Sequence, residues 1–164
     1  MSDKSWRSKV RAAAQQRGAS PQIAVVGIGH ELRGDDAAGI AVVRLLTGRE
    51  NFLVIEAGAA PENHAHKLRR FQPDVVLLID AAQMNLAPGE IAAFDLSAVG
   101  GLSASTHTMP LTLFAHYITT ELGCDVLLIG IQPENNAVGA ALTPQIQHAV
   151  RTLSRALLSD FGSI

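Results

Sequence analysis

Cysteine, lysine and aromatic residues are all scarce in this 164-residue chain. Its single cysteine, Cys124, excludes an internal disulfide and any zinc site built from several thiolates. That usage fits a reducing compartment. Aromatic residues make up 4% of the chain, so Ala, Val, Leu and Ile must fill the core. No apolar run approaches the roughly 20 residues that a membrane-spanning helix needs. The basic N-terminus (Lys4, Arg7, Lys9, Arg11, Arg17) lacks the apolar segment of a signal peptide. The expectation is a cytoplasmic protein without membrane insertion. The net charge of −2 gives no electrostatic case for nucleic acid. Several catalytic signatures are missing too. There is no Gly-x-Ser-x-Gly elbow. The only lysines are Lys4, Lys9 and Lys67, so there is no Gly-Lys-Ser/Thr phosphate loop. Neither His-x-x-x-His nor Cys-x-x-Cys spacing occurs.

Hydrophobic residues at 48% and charged residues at 17% give a globular composition of one-domain length. Residues 1–20 are expected as a basic N-terminal extension, with a short Ala- and Arg-rich helix over 4–17 ending before Gly18 and Pro21. Its basic residues are expected as a solvated face. Residues 21–164 are expected as the main domain. There, short β-branched runs alternate with helical stretches. The pattern predicts strands at Ile23–Val26, Phe52–Glu56, Val75–Asp80, Ile91–Phe94 and Val126–Ile131, and helices over 36–47, 62–70, 110–122 and 143–159. Three of the strands are continuously apolar, which suits parallel strands covered on both faces. The run Ile91–Phe94 follows Asn85-Leu86-Ala87-Pro88-Gly89 with no helix between, so it must turn back. The expected fold is α/β: a three-layer, open, twisted sheet of about five strands, mostly parallel with one antiparallel edge strand, and helices on both faces. Asp35 or Asp36 is expected to cap the helix that follows, and Thr143-Pro144 to start the last one.

The loop Gly27-Ile28-Gly29-His30-Glu31-Leu32-Arg33-Gly34-Asp35-Asp36 follows the first strand. Glycine-rich strand-to-helix loops commonly bind phosphate. This one ends in two acids, which repel phosphate and attract a cation, and it lacks the third glycine of a dinucleotide fingerprint. In open α/β sheets ligands collect beyond the carboxyl ends of the strands. Asp36, Asp80, His107 and the segment Gln132-Pro133-Glu134-Asn135 are all expected there. Two carboxylates and one imidazole form a mixed oxygen and nitrogen set suited to a borderline divalent metal such as nickel, zinc, manganese or iron. Each residue also has a plainer reading: Asp36 as a helix cap, Asp80 as a strand end bonding loop amides, His107 as an ordinary loop histidine. Glu56 ends a strand and reads equally well as pointing toward the same crevice or as a surface residue. His30, His64, His66, His116 and His148 read as surface or helix-face residues, with His30 set apart by its place in the loop. Cys124 reads as a buried structural thiol.

Seven segments, in order, carry a resemblance. They are Val26-Gly27-Ile28-Gly29, Gly34-Asp35-Asp36-Ala37-Ala38-Gly39, Ala59-Ala60-Pro61-Glu62-Asn63, Leu78-Ile79-Asp80-Ala81, Asn85-Leu86-Ala87-Pro88-Gly89-Glu90-Ile91, Ser105-Thr106-His107-Thr108-Met109-Pro110-Leu111 and Leu128-Ile129-Gly130-Ile131-Gln132-Pro133. From about residue 22 to 160 the chain resembles the nickel–iron hydrogenase maturation endopeptidases, most closely the type serving the hydrogenase of formate-hydrogenlyase complexes. The resemblance implies removal of a C-terminal peptide from a hydrogenase large-subunit precursor once nickel has been inserted. It implies that nickel, supplied by the precursor, is contacted by Asp36, Asp80 and His107, and that Asp36 and Asp80 are the catalytic candidates. Other divalent metals are expected to enter such a site in vitro. His30 departs from the family, which usually has Asn there. Metal could polarise the scissile carbonyl or activate water, or a carboxylate could act as general base. Two other classes remain open at this point. One is a non-proteolytic metal-delivery or docking chaperone for the same precursor. The other is a nucleotide-binding α/β module, which the Asp35-Asp36 charge disfavours.

Overall fold

A computed structural model of the protein describes residues 4–97 and 108–162. The five expected strands form one sheet: β1 (Ile23–Ile28), β2 (Phe52–Gly58), β3 (Val75–Ala81), β4 (Ile91–Asp95) and β5 (Asp125–Ile131). Their order across it is β2-β1-β3-β5-β4. The first four in that order run parallel, and β4 pairs antiparallel with β5 at the edge, with Ile91 opposite Ile131. The helices are α1 (Lys4–Gln15), α2 (Ala38–Arg44), α3 (Ala65–Phe71), α4 (Thr108–Leu122) and α5 (Pro144–Phe161).

Strand alternation divides the core in two. Ile23, Val25, Leu77, Ile79, Leu127 and Ile129 face one way, toward α1, α2 and α5. Ala24, Val26, Val76, Leu78, Val126 and Leu128 face the other, toward α3 and α4. Both faces of the central strands are therefore covered, which is why these runs are apolar without interruption.

The segment expected as a basic appendage is built into the first core. Trp6, Val10 and Ala14, spaced four residues apart along α1, are 2%, 1% and 4% exposed. Its arginines are not simply solvated. Arg7 Nε and Nη2 donate to the two Asp160 carboxylate oxygens at 2.9 and 2.6 Å, and Arg11 adds a second fork at 3.1 and 2.6 Å.

Two helix starts also differ from expectation. A 3-10 turn over Gly34–Ala37 precedes α2, which ends at Arg44. Another, Pro61–His64, precedes α3. Neither Asp35 nor Asp36 caps α2, and Thr143 makes no side-chain cap on α5. Asp35 is turned inward instead, and the Thr143 hydroxyl donates to it at 2.9 Å.

Candidate active site

Strand order places the site. β1 lies between β2 and β3, so the chain leaves β1 toward one neighbour and returns to the sheet on its other side. The connecting helices α2 and α3 pack on opposite faces. Such a reversal of winding opens a crevice at the carboxyl ends of adjacent strands. Asp36 follows β1 and Asp80 closes β3, and both line one cavity of about 500 Å³ at that end of the sheet.

The loop after β1 is shaped by contacts that only glycine permits. Gly39, in the first turn of α2, lies so close to the sheet that a Cβ there would come within 2.1 Å of the Ile79 carbonyl oxygen and 2.3 Å of that of Ile28. Gly29 has φ +147°, and a Cβ on it would meet the Asp36 carbonyl oxygen at 2.0 Å. The loop amides bond within the fold: Gly29 N–H to the Gly58 carbonyl, His30 N–H to that of Asp36, Asp36 N–H to that of Arg33 and Asp35 N–H to that of Asn135. Amides so engaged do not cradle a phosphate, and the acids beside them disfavour one further.

The two adjacent aspartates do different work. Asp35 is fully buried. One of its oxygens accepts the Glu134 and Asn135 N–H groups at 2.9 and 2.8 Å, and the other accepts the Thr143 N–H at 2.7 Å. Burial alone would raise its pKa, but these bonds reverse the sign and hold the carboxyl below its ordinary value. It joins the loop after β1 to the loop after β5. Asp36 is half-buried and faces the cavity.

Asp80 is 9% exposed at the end of a strand that is otherwise wholly apolar. Burial first, and the charge of Asp36 second, push its carboxyl well above the usual range, while the Ala81 backbone N–H acts in the opposite direction. A buried carboxylate facing a second one is relieved either by a proton or by a cation. Two hard oxygen donors converging on a cavity fit a divalent metal, and a metal brought by a substrate would relieve the repulsion directly. Among the described residues no three His, Cys, Asp or Glu side chains converge to hold a metal. His107 lies outside the described residues.

His30 is exposed and lines the cavity, in keeping with its place in the loop. His66, His116 and His148 are exposed, and His64 is half-buried with its Nδ1 unpartnered. Glu56 is exposed and pairs with Arg44, which also holds Glu31 at 2.8 Å, so it belongs to the surface. Cys124 is buried, and burial raises its thiol to about 11, which makes it inert.

Three comparisons bear on this arrangement. The family described as hydrogenase maturation protease matches residues 40–160. The chain belongs to the hydrogenase maturation protease family. It is 33% identical over 133 residues to the hydrogenase 3 maturation protease of Escherichia coli K12, covering 79% of this chain and 85% of that protein. The crystal structure of a [NiFe] hydrogenase maturation protease, HycI, from Thermococcus kodakarensis superposes with a TM-score of 0.83 at 30% identity, over 93% of this chain and 99% of that one. The solution structure of an endopeptidase HycI from Escherichia coli gives 0.71 at 29% identity, over 82% and 87%. As a member of this family of hydrolases, the protein is an endopeptidase, and its mostly parallel sheet with one antiparallel edge strand is the fold of these relatives.

The structure adds residues to this cavity that sequence reading did not single out. Arg33, Glu62, Gln83 and Asn136 line the cavity with Asp36 and Asp80. Gln132, in the segment expected from the sequence at this end of the sheet, is 5% exposed, and its Oε1 accepts the Met84 and Leu86 N–H groups at 2.7 and 3.3 Å. Its Nε2 donates to Gln83 Oε1 at 2.9 Å, so it fixes the loop that follows Asp80. The signal for Glu62 and Gln132 lay in the matched segments that contain them; Arg33, Gln83 and Asn136 carry no distinguishing pattern.

Proposed function

We propose that the protein removes the C-terminal peptide of a nickel–iron hydrogenase large-subunit precursor in the cytoplasm after nickel insertion, and that Asp36, Asp80 and His107 read the nickel carried by that precursor. Convergence of Asp36 and Asp80 on one cavity at the winding reversal of the sheet, in a chain of this endopeptidase family, supports the reading most directly. The nickel is part of the substrate here. A precursor without it leaves a proton as the only relief for these two acids, and a loaded one brings a cation that takes the proton's place. The paired acids thereby convert the filling state of the partner into a difference in binding.

The chain's own residues then have distinct tasks. Asp80, kept from solvent, is the group whose protonation depends most on what enters the cavity. Asp36, half-exposed beside it, would take a proton from an attacking water or help to hold the metal. Asp35 and Gln132 brace the two loops that carry these acids.

Replacing Asp36→Asn, Asp80→Asn and His107→Ala, one at a time, is expected to leave the fold intact and abolish shortening of nickel-loaded precursor on a gel. Full activity in all three variants contradicts the assignment. Mass spectrometry of the precursor separates this reading from a docking chaperone, since only a protease shortens the C-terminus.

A further inference from the structure

Two of the most exposed large apolar side chains stand beside the cavity. Leu32 is 65% exposed and Val138 77% exposed. Leu32 lies between His30 and Arg33, both of which line the cavity, and Val138 lies two residues beyond Asn136, which does so too. The Gly139 N–H donates to the Leu32 carbonyl at 2.8 Å, so the two loops are joined backbone to backbone where these side chains emerge. Asp35 clamps the same pair of loops in the interior. A hollow of about 600 Å³ opens on the other side of the first loop, where Ile40 and Ala41 of α2, and Leu45 just beyond its end, face Ala140 and Leu142. Gly34 borders this hollow and its neighbour Arg33 borders the cavity, so the two share one wall.

Exposed apolar side chains are ordinary singly, but a strip of them next to a reaction cavity marks a contact surface. Because the loops are already pinned, a partner gains apolar burial there without the entropic cost of ordering them. We propose that this strip, from Leu32 and Val138 into the hollow beside Leu45, docks the folded body of the hydrogenase large-subunit precursor. The inference rests on the function proposed above and adds the surface by which that substrate is held. Continuity of the strip with the cavity identifies the occupant: a protein that places its terminal segment between Asp36 and Asp80 brings its adjoining surface over Leu32 and Val138. The charged groups around the hollow are mixed in sign (Glu31, Arg44, Arg151), which suits a protein surface and not an anionic membrane.

The test uses the full chain with Leu32→Asp and Val138→Asp together, and separately with Leu45→Glu. Steady-state processing of nickel-loaded precursor is expected to show KM raised about tenfold, equivalent to ~1.4 kcal/mol, with kcat within about twofold and thermal unfolding unchanged. The same substitutions in an Asp80→Asn background, titrated with precursor by calorimetry, are expected to weaken binding by a similar factor. That arm reads docking whether or not cleavage occurs. Loss of cleavage in the unsubstituted protein would therefore contradict the function and leave docking decided by the titration. Unchanged KM and unchanged titration would overturn the docking surface. So would sedimentation showing a dimer that these substitutions dissociate, because the strip would then be an interface between copies of this chain.

Discussion

Asp35 and Asp36 are adjacent, yet their environments give them opposite uses. Asp35 has no exposed surface and satisfies three backbone amides from a loop about 100 residues away. Asp36 keeps its carboxylate in the cavity. From sequence alone either one could cap the following helix, because the local pattern of acid before helix is the same for both. The partners of Asp35 lie in the segment Glu134–Thr143, and no local rule connects it to that segment. The placement of Asp36 and Asp80 was more legible, since Asp80 lies at the carboxyl end of one apolar strand, Asp36 closes the loop after another, and the reversal of strand order joins those ends. Asp35→Asn is expected to leave buried amides poorly satisfied and to cost about 3 kcal/mol, or roughly 6–12 °C in Tm for a domain of this size. Its folded pKa lies below the ordinary carboxylate value, so its contribution is complete above that value and disappears as pH falls through the folded one. Thermal unfolding against pH is therefore expected to show a shallower acid limb in Asp35→Asn than in the unsubstituted protein. Equal acid limbs and equal Tm would contradict the role of Asp35 as the brace.

Among the elements, the strands were the most legible and α1 the least. Each predicted strand is found within two residues of its expected ends. This follows from their burial on both faces, which leaves an uninterrupted apolar run. The composition of α1 is rich in charge, and that masked an apolar stripe of Trp6, Val10 and Ala14 at four-residue spacing. Its attachment also depends on Asp160 at the far end of the chain. Burial alone would raise the Asp160 pKa, but the forks from Arg7 and Arg11 lower it on balance. The pairing is thus fully present above the ordinary carboxylate pKa and is lost as pH falls through the lowered folded value. Trp6→Ala removes a side chain that is 2% exposed and is expected to cost about 3–5 kcal/mol. The cost would register as a fall in the denaturant midpoint without a change in slope. A loss below about 0.5 kcal/mol would mean that α1 behaves as a surface addition.

At the scale of the whole molecule, a covered parallel sheet supplies a rigid frame and leaves its chemistry to the loops at one end. β1 and β3 bring Asp36 and Asp80 to a shared cavity, Gly39 lets α2 lie against both strands, and Asp35 and Gln132 hold the flanking loops. Paired acids in such a place are relieved by a proton or by a cation. On the proposed function, the family activity of cutting a hydrogenase precursor would depend on the metal that the precursor carries. The decisive comparison is the initial rate of C-terminal shortening, followed by mass spectrometry, for one precursor prepared with and without nickel. The nickel-loaded precursor is expected to be cut and the nickel-free one left intact, with the difference abolished in Asp36→Asn and Asp80→Asn through loss of cutting. Equal cutting of both precursors by the unsubstituted protein would contradict the claim that these acids read the metal.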